Sequence, residues 1–334
     1  MNLKEIQWNK YSKPIILIAF VAVLSVLRPA AFLTISNAAN VLWSVSVIGI
    51  MVCGTIFVFL LGGIDLSIAT LCGFCAVTVV EVIHYFGDSV FGLFMGILAA
   101  LAVGALAGCF HGFIITRFGV PAFLVTFATQ SIFQGLSMVV TNNKIVSCTQ
   151  PAAFTAIGSM KILGFPLLIY FMVLMALLSW FILRKTVFGR YVYSVGGNAT
   201  ASEISGINVK KVTILCYVLS GLTTAIGGII LASMTQQAAA ATGSGYTNDV
   251  ITAGVIGGVS LLGGEGTVPG AIFGAVLMGL LNNGLNLMSV PSTQAGFVKG
   301  LVIIVAVAFD AAQHADQSRK KVRKKIVKKA AGKA

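Results

Sequence analysis

The chain has 334 residues, of which 57% are hydrophobic and only 9% are charged, and its formal net charge is +13. A soluble domain carries roughly 25% charged residues, so this composition excludes an ordinary soluble protein and predicts a polytopic membrane protein. Nine of the 22 lysines and arginines lie within 319–334. The positive charge is therefore largely that of a tail, and it does not indicate nucleic-acid binding.

Ten apolar stretches are long enough, at roughly 17–25 residues each, to be transmembrane helices. They lie at about 14–34, 41–61, 66–86, 90–116, 122–141, 166–184, 212–234, 248–263, 268–288 and 295–312. The first resembles a signal peptide, but Arg28-Pro29 follows it at once with no small-residue cleavage pattern, so we expect a retained span. The eighth is short and glycine-rich, and it either crosses fully or is re-entrant.

The distribution of cations tests this count, because cytoplasmic loops are enriched in lysine and arginine. With ten spans and a cytoplasmic N-terminus, eighteen cations lie inside and three outside, with Lys299 within the last span. We therefore expect one transmembrane domain over 1–318, a basic tail over 319–334 and both termini in the cytoplasm. The tail is expected to contact anionic inner-leaflet lipid.

The motif Gly62-Gly63-Ile64-Asp65-Leu66-Ser67 precedes the third span. An aspartate at membrane depth is a functional candidate by default. Asp65 is also placed to be the N-cap of that span, where helix dipole and free N–H groups favour an anion. A structural cap that shapes the pathway and a direct solute contact both remain open, and Ser67 is grouped with it. Leu60-Leu61-Gly62-Gly63 recurs as Leu261 to Gly264, a match short enough to arise by chance.

Uncharged polar residues occur within two later spans. Gln130 and Gln134 are four residues apart, so they share one face of span five. Asn282, Asn283 and Asn286 give span nine the same kind of face. These amides either bond the hydroxyls of a neutral solute along a pathway or hold helices together.

Acidic residues do not suggest ion coupling. Glu81, Asp249 and Asp310 are expected near span ends, whereas a coupling carboxylate belongs near the membrane midplane. The outer segments, 142–165 and 236–248, are mostly neutral and polar, which suits a neutral partner or solute.

The polar insert Arg184–Lys211 carries five cations, which places it on the cytoplasmic side. It contains a short helix candidate that Asn198 can cap, Ala199 to Ser205 can form and Gly206 can end. A tethered cytoplasmic helix is suited to being pushed by a partner. The same residues are equally compatible with an ordinary surface loop.

Enzyme signals are weak. Cys72 and Cys75 form a C-x-x-C pattern inside an apolar span, where buried unreactive thiols are the expectation. The three histidines show no metal-ligand spacing, and Ser244, in Gly243-Ser244-Gly245, lacks a histidine base. No phosphate-binding G-x-x-x-x-G-K-[ST] loop is present, so we expect this chain to bind no cofactor itself.

Four stretches together resemble the permease subunits of bacterial ATP-binding-cassette (ABC) importers for ribose, galactose, xylose and allose. They are Gly62–Ser67, Phe188–Asn208, Gly257–Gly270 and Gly279–Leu287. Their order and spacing cover nearly the whole chain beyond the first helix. One departure is Ile68-Ala69-Thr70 after the first motif, where family members often have Val-Gly-Ser.

The resemblance implies an all-α permease of the vitamin-B12-type importer fold in the bacterial inner membrane. It implies a second permease copy, two cytoplasmic ABC ATPase subunits that hold ATP and Mg²⁺, and a periplasmic sugar-binding protein. It also implies that the segment within 185–211 is the coupling loop that docks into the ATPase. Its residues are Asn198, Ala199, Thr200, Ala201, Ser202, Glu203, Ile204, Ser205, Gly206 and Ile207. The alternatives are a stand-alone ion-coupled carrier or channel for a small neutral solute, and an intramembrane enzyme.

Overall fold

The computed structural model of the protein describes residues 8–291 and 294–304, with side chains from residue 17 onward, and this part of the chain is predominantly helical. The helices are α1 (Trp8–Leu27), α2 (Pro29–Phe32), α3 (Ile35–Leu60), α4 (Ile68–Tyr85), α5 (Val90–Phe118), α6 (Ala122–Val140), α7 (Ala152–Ser159), α8 (Leu167–Lys185), α9 (Val187–Gly197), α10 (Ala199–Ile204), α11 (Val209–Thr235), α12 (Tyr246–Ile256), α13 (Val268–Leu287) and α14 (Gln294–Ile304). The predicted all-α class is confirmed for these residues.

Four two-residue strands are found among the described residues. β1 (Val146–Ser147) pairs antiparallel with β4 (Gln237–Ala238), and β2 (Lys161–Ile162) pairs antiparallel with β3 (Phe165–Pro166). With α7, these strands give the predicted outer segment 142–165 an ordered structure and tie it to the second outer segment.

Seven helices in the described part of the chain are long and apolar enough to cross a membrane: α3, α4, α5, α6, α8, α11 and α13. They coincide with seven of the ten predicted spans. The first predicted span corresponds to α1 and α2, and the last to α14 and residues 305–312, which lie outside the described part. Asp310 and the tail also lie outside it, so a total of ten spans stays a prediction.

The predicted eighth span, 248–263, contains only the 11-residue helix α12. At 1.5 Å per residue this helix is about 16 Å long, roughly half of the ~30 Å hydrocarbon thickness. The residues after it form successive turns with positive φ at Gly258, Gly263 and Gly264. This segment is therefore a half-length helix followed by a loop.

The core lies around α3, α11 and α13. In the most apolar window of each helix, 78%, 67% and 67% of residues are buried, against 33%, 28% and 22% in α5, α6 and α8. The latter three form the periphery and expose large apolar side chains such as Phe94, Phe127 and Leu177, as lipid-facing helices do. Cys72 and Cys75 are fully buried free thiols, as expected.

Small residues allow the central helix α11 to approach its neighbour α5 closely. A Cβ atom added to Gly104 would lie 2.8 Å from Ala225 Cβ, and one added to Gly221 would lie 3.0 Å from the carbonyl carbon of Gly104. This spacing leaves no room for a side chain at either position. Glycine supports such close packing between membrane helices.

Candidate functional site

Two non-helical stretches lead into helices that begin beside each other inside the bundle, and we call these stretches the unwound pair. Residues 61–67 join α3 to α4, and residues 239–245 precede α12. The Ala69 amide donates to Thr247 Oγ1 at 2.9 Å, so α4 and α12 begin beside each other. Irregular backbone at membrane depth is tolerated where it is buried in protein or lines a cavity. Interrupted helices of this kind form the substrate sites of many transporters.

Asp65 belongs to the first stretch of the unwound pair, residues 61–67, and lies near the mid-depth of the bundle. Ser220 Oγ donates to Asp65 Oδ2 at 3.2 Å. Ser220 is 11 residues into the 27-residue helix α11, which places the contact about 17 Å from the start of that helix. Asp65 is 1% exposed, so its carboxylate is inside the protein at membrane depth, as its sequence position suggested.

Protein groups satisfy the Asp65 carboxylate. Oδ1 accepts from the Ser67 amide at 3.0 Å and from Ser67 Oγ at 2.6 Å, while Oδ2 accepts from Ser220. Buried charge requires such bonds, and those to a carboxylate are strong. The three bonds give Asp65 a structural role in holding residues 61–67.

The prediction that Asp65 is the N-cap of the third span is wrong. The N-cap of α4 is Ser67, whose own side chain makes no capping bond. Asp65 instead accepts from the amide two residues ahead, the local turn that aspartate side chains favour. That turn forms before the helix begins. The other carboxylate oxygen, Oδ2, is directed to Ser220 of α11.

Helix α6 fixes the same stretch from the other side. Thr126 Oγ1 accepts from the Leu66 amide and lies 3.1 Å from the Ile64 carbonyl, to which it donates.

One turn further along α6, Thr129 Oγ1 is 2.7 Å from His111 Nε2. The His111 ring is in turn 6.1 Å from the ring of Tyr217. Sequence reasoning missed these groups, because single polar residues in apolar helices carry no motif.

Tyr217 contributes a polar group without a partner. Its hydroxyl is buried and has no hydrogen bond to the described residues. A Cβ added to Gly63 would lie 2.6 Å from this oxygen, so the hydroxyl faces the backbone of residues 61–67.

Gln130 and Gln134 follow Thr126 at four-residue intervals on α6. Both side chains are partly exposed, and neither has a hydrogen-bond partner among the described residues. The structure thus leaves their amides available, and their role on the translocation path stays a prediction.

The three asparagines of α13 do not form one polar face toward the unwound pair. Asn283 and Asn37 exchange amide hydrogen bonds of 2.7 and 3.2 Å, which joins α13 to the start of α3. Asn286 is exposed. Asn282 Nδ2 donates to Asp249 Oδ2 at 2.8 Å. For Asn283, the helix-joining interpretation is the one its contacts support.

Asp249 is buried, 2% exposed, in the first turn of α12. Asp249 was expected near a span end, and it does lie at the beginning of a helix. Because α12 begins inside the bundle, this helix end is buried. Lys299 Nζ lies 2.9 Å from Oδ1 and 3.0 Å from Oδ2, with hydrogen-bond geometry to Oδ2. Sequence reasoning missed this pair, since its two members are 50 residues apart. In residues 8–291 and 294–304, no group of three histidine, cysteine or acidic side chains could hold a metal ion.

The helix predicted within the polar insert is present as α10. Asn198 Oδ1 accepts from the Ala201 amide at 2.9 Å, which makes Asn198 the predicted N-cap. Ser205 is the C-cap, so the helix ends one residue earlier than predicted. The Gly206 amide donates to Glu203 and the Ile207 amide to Ser202, with Gly206 at φ +84°. These two bonds and the left-handed glycine form a Schellman C-cap.

One side of α10 is buried and the other is open. Ser202 is buried, and its Oγ lies 2.8 Å from Ser194 Oγ on α9. Glu203 is exposed, and Ile204 is 84% exposed. Ile204 is an apolar side chain at the exposed end of α10, a helix that is capped at both ends, and such a side chain is suited to contacting a partner. Single exposed apolar residues are also common on protein surfaces in general.

Comparison with known proteins identifies related permeases. Residues 37–307 match the family described as the branched-chain amino acid transport system permease component. The ribose import permease protein RbsC of Escherichia coli is 38% identical over 91% of this chain and 94% of its own length. RbsC of Bacillus subtilis is 38% identical over 88% and 90%, respectively. The L-arabinose transport system permease protein AraH of Escherichia coli is 33% identical over 91% and 90%. No solved structure gives a significant match.

Proposed function

Because the chain belongs to the permease family of ABC importers for monosaccharides, we propose that it forms the membrane pathway for a pentose or hexose. In this assignment the chain is a transporter subunit and not an enzyme. The observation that carries the ATP-driven class is α10, a capped helix with an exposed tip, held between two long apolar helices.

A neutral solute is favoured over the amino acid in the family's description. The named relatives are permeases for ribose and L-arabinose. Both buried carboxylates of the candidate site are occupied: Asp65 by serine donors and Asp249 by Lys299. Gln130 and Gln134 offer neutral amides, which suit sugar hydroxyls better than the two charges of an amino acid.

We assign the coupling function to α10 and its caps, 198–207. The exposed Glu203 and Ile204 would contact a cytoplasmic ABC ATPase subunit, which holds ATP and Mg²⁺. Movement of the docked helix would tilt the attached helices and change the distance between the two stretches of the unwound pair. A ligand shifts the equilibrium between two conformations of a transporter only by binding them with different affinities. ATP bound to the ATPase would supply that difference, so no ion-coupling carboxylate is required in this chain.

The remaining features follow from the same assignment. The complete permease would have about ten spans in the vitamin-B12-type fold, with both termini cytoplasmic and the basic tail 319–334 against anionic lipid. It would act with a second permease copy, as a homodimer or a heterodimer, and receive sugar from a periplasmic binding protein. The family of the chain supports the ATPase and the periplasmic binding protein as partners.

A pair of matched variants tests the docking assignment. Gly206→Trp places a bulky side chain at the cap of α10, and Gly119→Trp does so at the cap of α5. Both glycines have positive φ, +84° and +67°, and open space around them. We expect the first to abolish ATP-dependent uptake with normal membrane insertion, and the second to retain it. Glu203→Lys should act like Gly206→Trp.

Normal uptake by both Gly206→Trp and Glu203→Lys would refute docking through α10. Purification in mild detergent from the native membrane tests the wider assignment. Recovery of an ATP-hydrolysing subunit and a sugar-binding protein is the expected result, whereas recovery of this chain alone without ATPase activity would contradict it.

A further inference from the structure

The two Leu-Leu-Gly-Gly stretches lie against each other at the insert side of the bundle. The Gly264 amide donates to the Leu60 carbonyl at 2.8 Å. A Cβ added to Gly62 would lie 3.1 Å from the Leu262 carbonyl oxygen. The repeat, too short to interpret in the sequence, thus marks two turns that are joined by a backbone hydrogen bond.

Helix α9 is seated directly on that bond. A Cβ added to Gly196 would overlap the Leu60 carbonyl oxygen and lie 2.7 Å from the Gly264 amide nitrogen. A Cβ added to the next residue, Gly197, would meet nothing within 4 Å. Of these two α9 glycines, therefore, only Gly196 needs to lack a side chain for α9 to reach both turns. We call Leu60, Gly196 and Gly264 the glycine junction.

Other contacts tie α9 to the same two turns. Tyr193 Oη donates to the Gly266 carbonyl at 2.8 Å. The ring of Phe188 stacks on that of Phe57, with 6.1 Å between centroids. Phe57 belongs to the last turn of α3 before Leu60, and Gly266 directly precedes the Thr267 cap of α13. Helix α9 is thus fixed to both sides of the junction.

The junction leads from α10 to the candidate site. Ser194 and Ser202 join α9 to α10 through their hydroxyls, 2.8 Å apart. On the other side, Asp65 follows Leu60 by five residues within the stretch that α6 and α11 hold. The second turn continues into α13, which carries Asn282. A displacement of α10 therefore has a continuous packed route to 61–67 and to α13.

We infer that Gly196 is a positioning residue through which α9 moves both Leu-Leu-Gly-Gly turns together, so that force on α10 opens or closes the unwound pair. This inference rests on the proposed docking of α10. It adds that coupling requires contact of α9 with both turns. Docking of α10 to the ATPase does not by itself require that contact.

The test uses the full importer, with its ATPase and binding protein, reconstituted in proteoliposomes. Uptake of labelled ribose and ATP hydrolysis are measured together for wild type and for Gly196→Ala, Gly197→Ala, Gly189→Ala and Tyr193→Phe. Gly189→Ala is a packing control, because its Cβ would overlap backbone carbonyls of α8 instead of the turns. Copurification of the ATPase reports docking separately from coupling.

We expect Gly196→Ala to retain the ATPase but to lower sugar transported per ATP hydrolysed at least tenfold. Tyr193→Phe should lower the ratio a few-fold, while Gly197→Ala and Gly189→Ala should keep the wild-type ratio in the assembled fraction. Wild-type ratios for both Gly196→Ala and Tyr193→Phe would overturn the inference and leave the proposed function intact. If Gly196→Ala does not assemble, a wild-type ratio for Tyr193→Phe alone overturns it. Absence of ATP-dependent uptake of every monosaccharide tried by the wild type would instead refute the proposed function, and the inference with it.

Discussion

The ammonium group of Lys299 lies 2.9 Å from the carboxylate of Asp249, and this ion pair joins α14 to the buried first turn of α12. Removing one member of a buried pair costs roughly 3–5 kcal/mol, because the other charge is left uncompensated. Since Lys299 is 19% exposed, we expect Lys299→Met to destabilise the protein by about 3 kcal/mol. The thermal unfolding midpoint of the purified protein in detergent measures this change.

The double variant Asp249→Asn, Lys299→Met is the control for the ion pair. The amide introduced at position 249 would retain an oxygen for Asn282, and no unpaired charge would remain. We expect the double variant to recover most of the lost stability, and a midpoint no higher than that of Lys299→Met would contradict a charge-pairing role.

Asp65 provides a second prediction. Asp65→Ala would leave the buried Ser67 and Ser220 donors unpaired, at about 1–3 kcal/mol for each unsatisfied group. Asp65→Asn would keep an acceptor for Ser67. We therefore expect Asp65→Ala to lose stability and uptake, and Asp65→Asn to fold with uptake within a few-fold of wild type.

The outcome for Asp65→Asn separates the two roles left open by the sequence. Substantial uptake supports the structural role that the three hydrogen bonds indicate. A well-folded Asp65→Asn protein with no uptake would show that the negative charge itself is needed.

Asn283 and Asn286 differ in their contacts, although both are on α13. Asn283→Leu would leave the Asn37 amide partly unpaired, so we expect a loss of about 1–3 kcal/mol with little change in the apparent KM for sugar. Asn286→Ala, at an exposed position, should change stability by less than about 0.5 kcal/mol. A raised KM for folded Asn283→Leu would argue that this amide contacts the solute.

Cys148 lies in the outer segment beside β1 and is 1% exposed. Burial raises the pKa of its thiol, Asp88 raises it further and the hydrogen bond to the Gln150 backbone lowers it, which together bring the pKa to about 11. Because the thiolate is the reactive form, an impermeant maleimide at about pH 7.5 should label Cys148 far more slowly than an ordinary exposed cysteine. Labelling should accelerate as the pH rises toward the pKa of about 11.

Ser147→Cys in a Cys148→Ser background is the matched comparison, since residue 147 is exposed. Equal labelling rates at residues 147 and 148 at that near-neutral pH would show that Cys148 is accessible and that its pKa is not raised.

Local sequence signals predicted the features that depend on local chemistry. Hydropathy located all seven long helices, six of them within a few residues and α3 with a start six residues late, because each apolar run has the length of a bilayer. Asn198 and Gly206 identified α10, because an N-cap side chain and a left-handed glycine act within one helical turn.

Features that depend on distant contacts were missed. Asp249 is buried because α12 begins inside the bundle, which its neighbours in sequence do not indicate. The Asp65 turn was misassigned as an N-cap because an aspartate accepts from the amide two residues ahead both as an N-cap and in a local turn. The meaning of Gly196 depends on Leu60 and Gly264, which are far away in the chain.

The central claim is ATP-driven import of a monosaccharide, and uptake by proteoliposomes tests it most directly. Liposomes containing this chain would be prepared with and without the partner ATPase, and supplied with labelled ribose or L-arabinose and the binding protein. We predict uptake only with the ATPase and ATP present, and none driven by a proton or sodium gradient alone. Uptake driven by an ion gradient through this chain by itself would contradict the account and favour a stand-alone carrier.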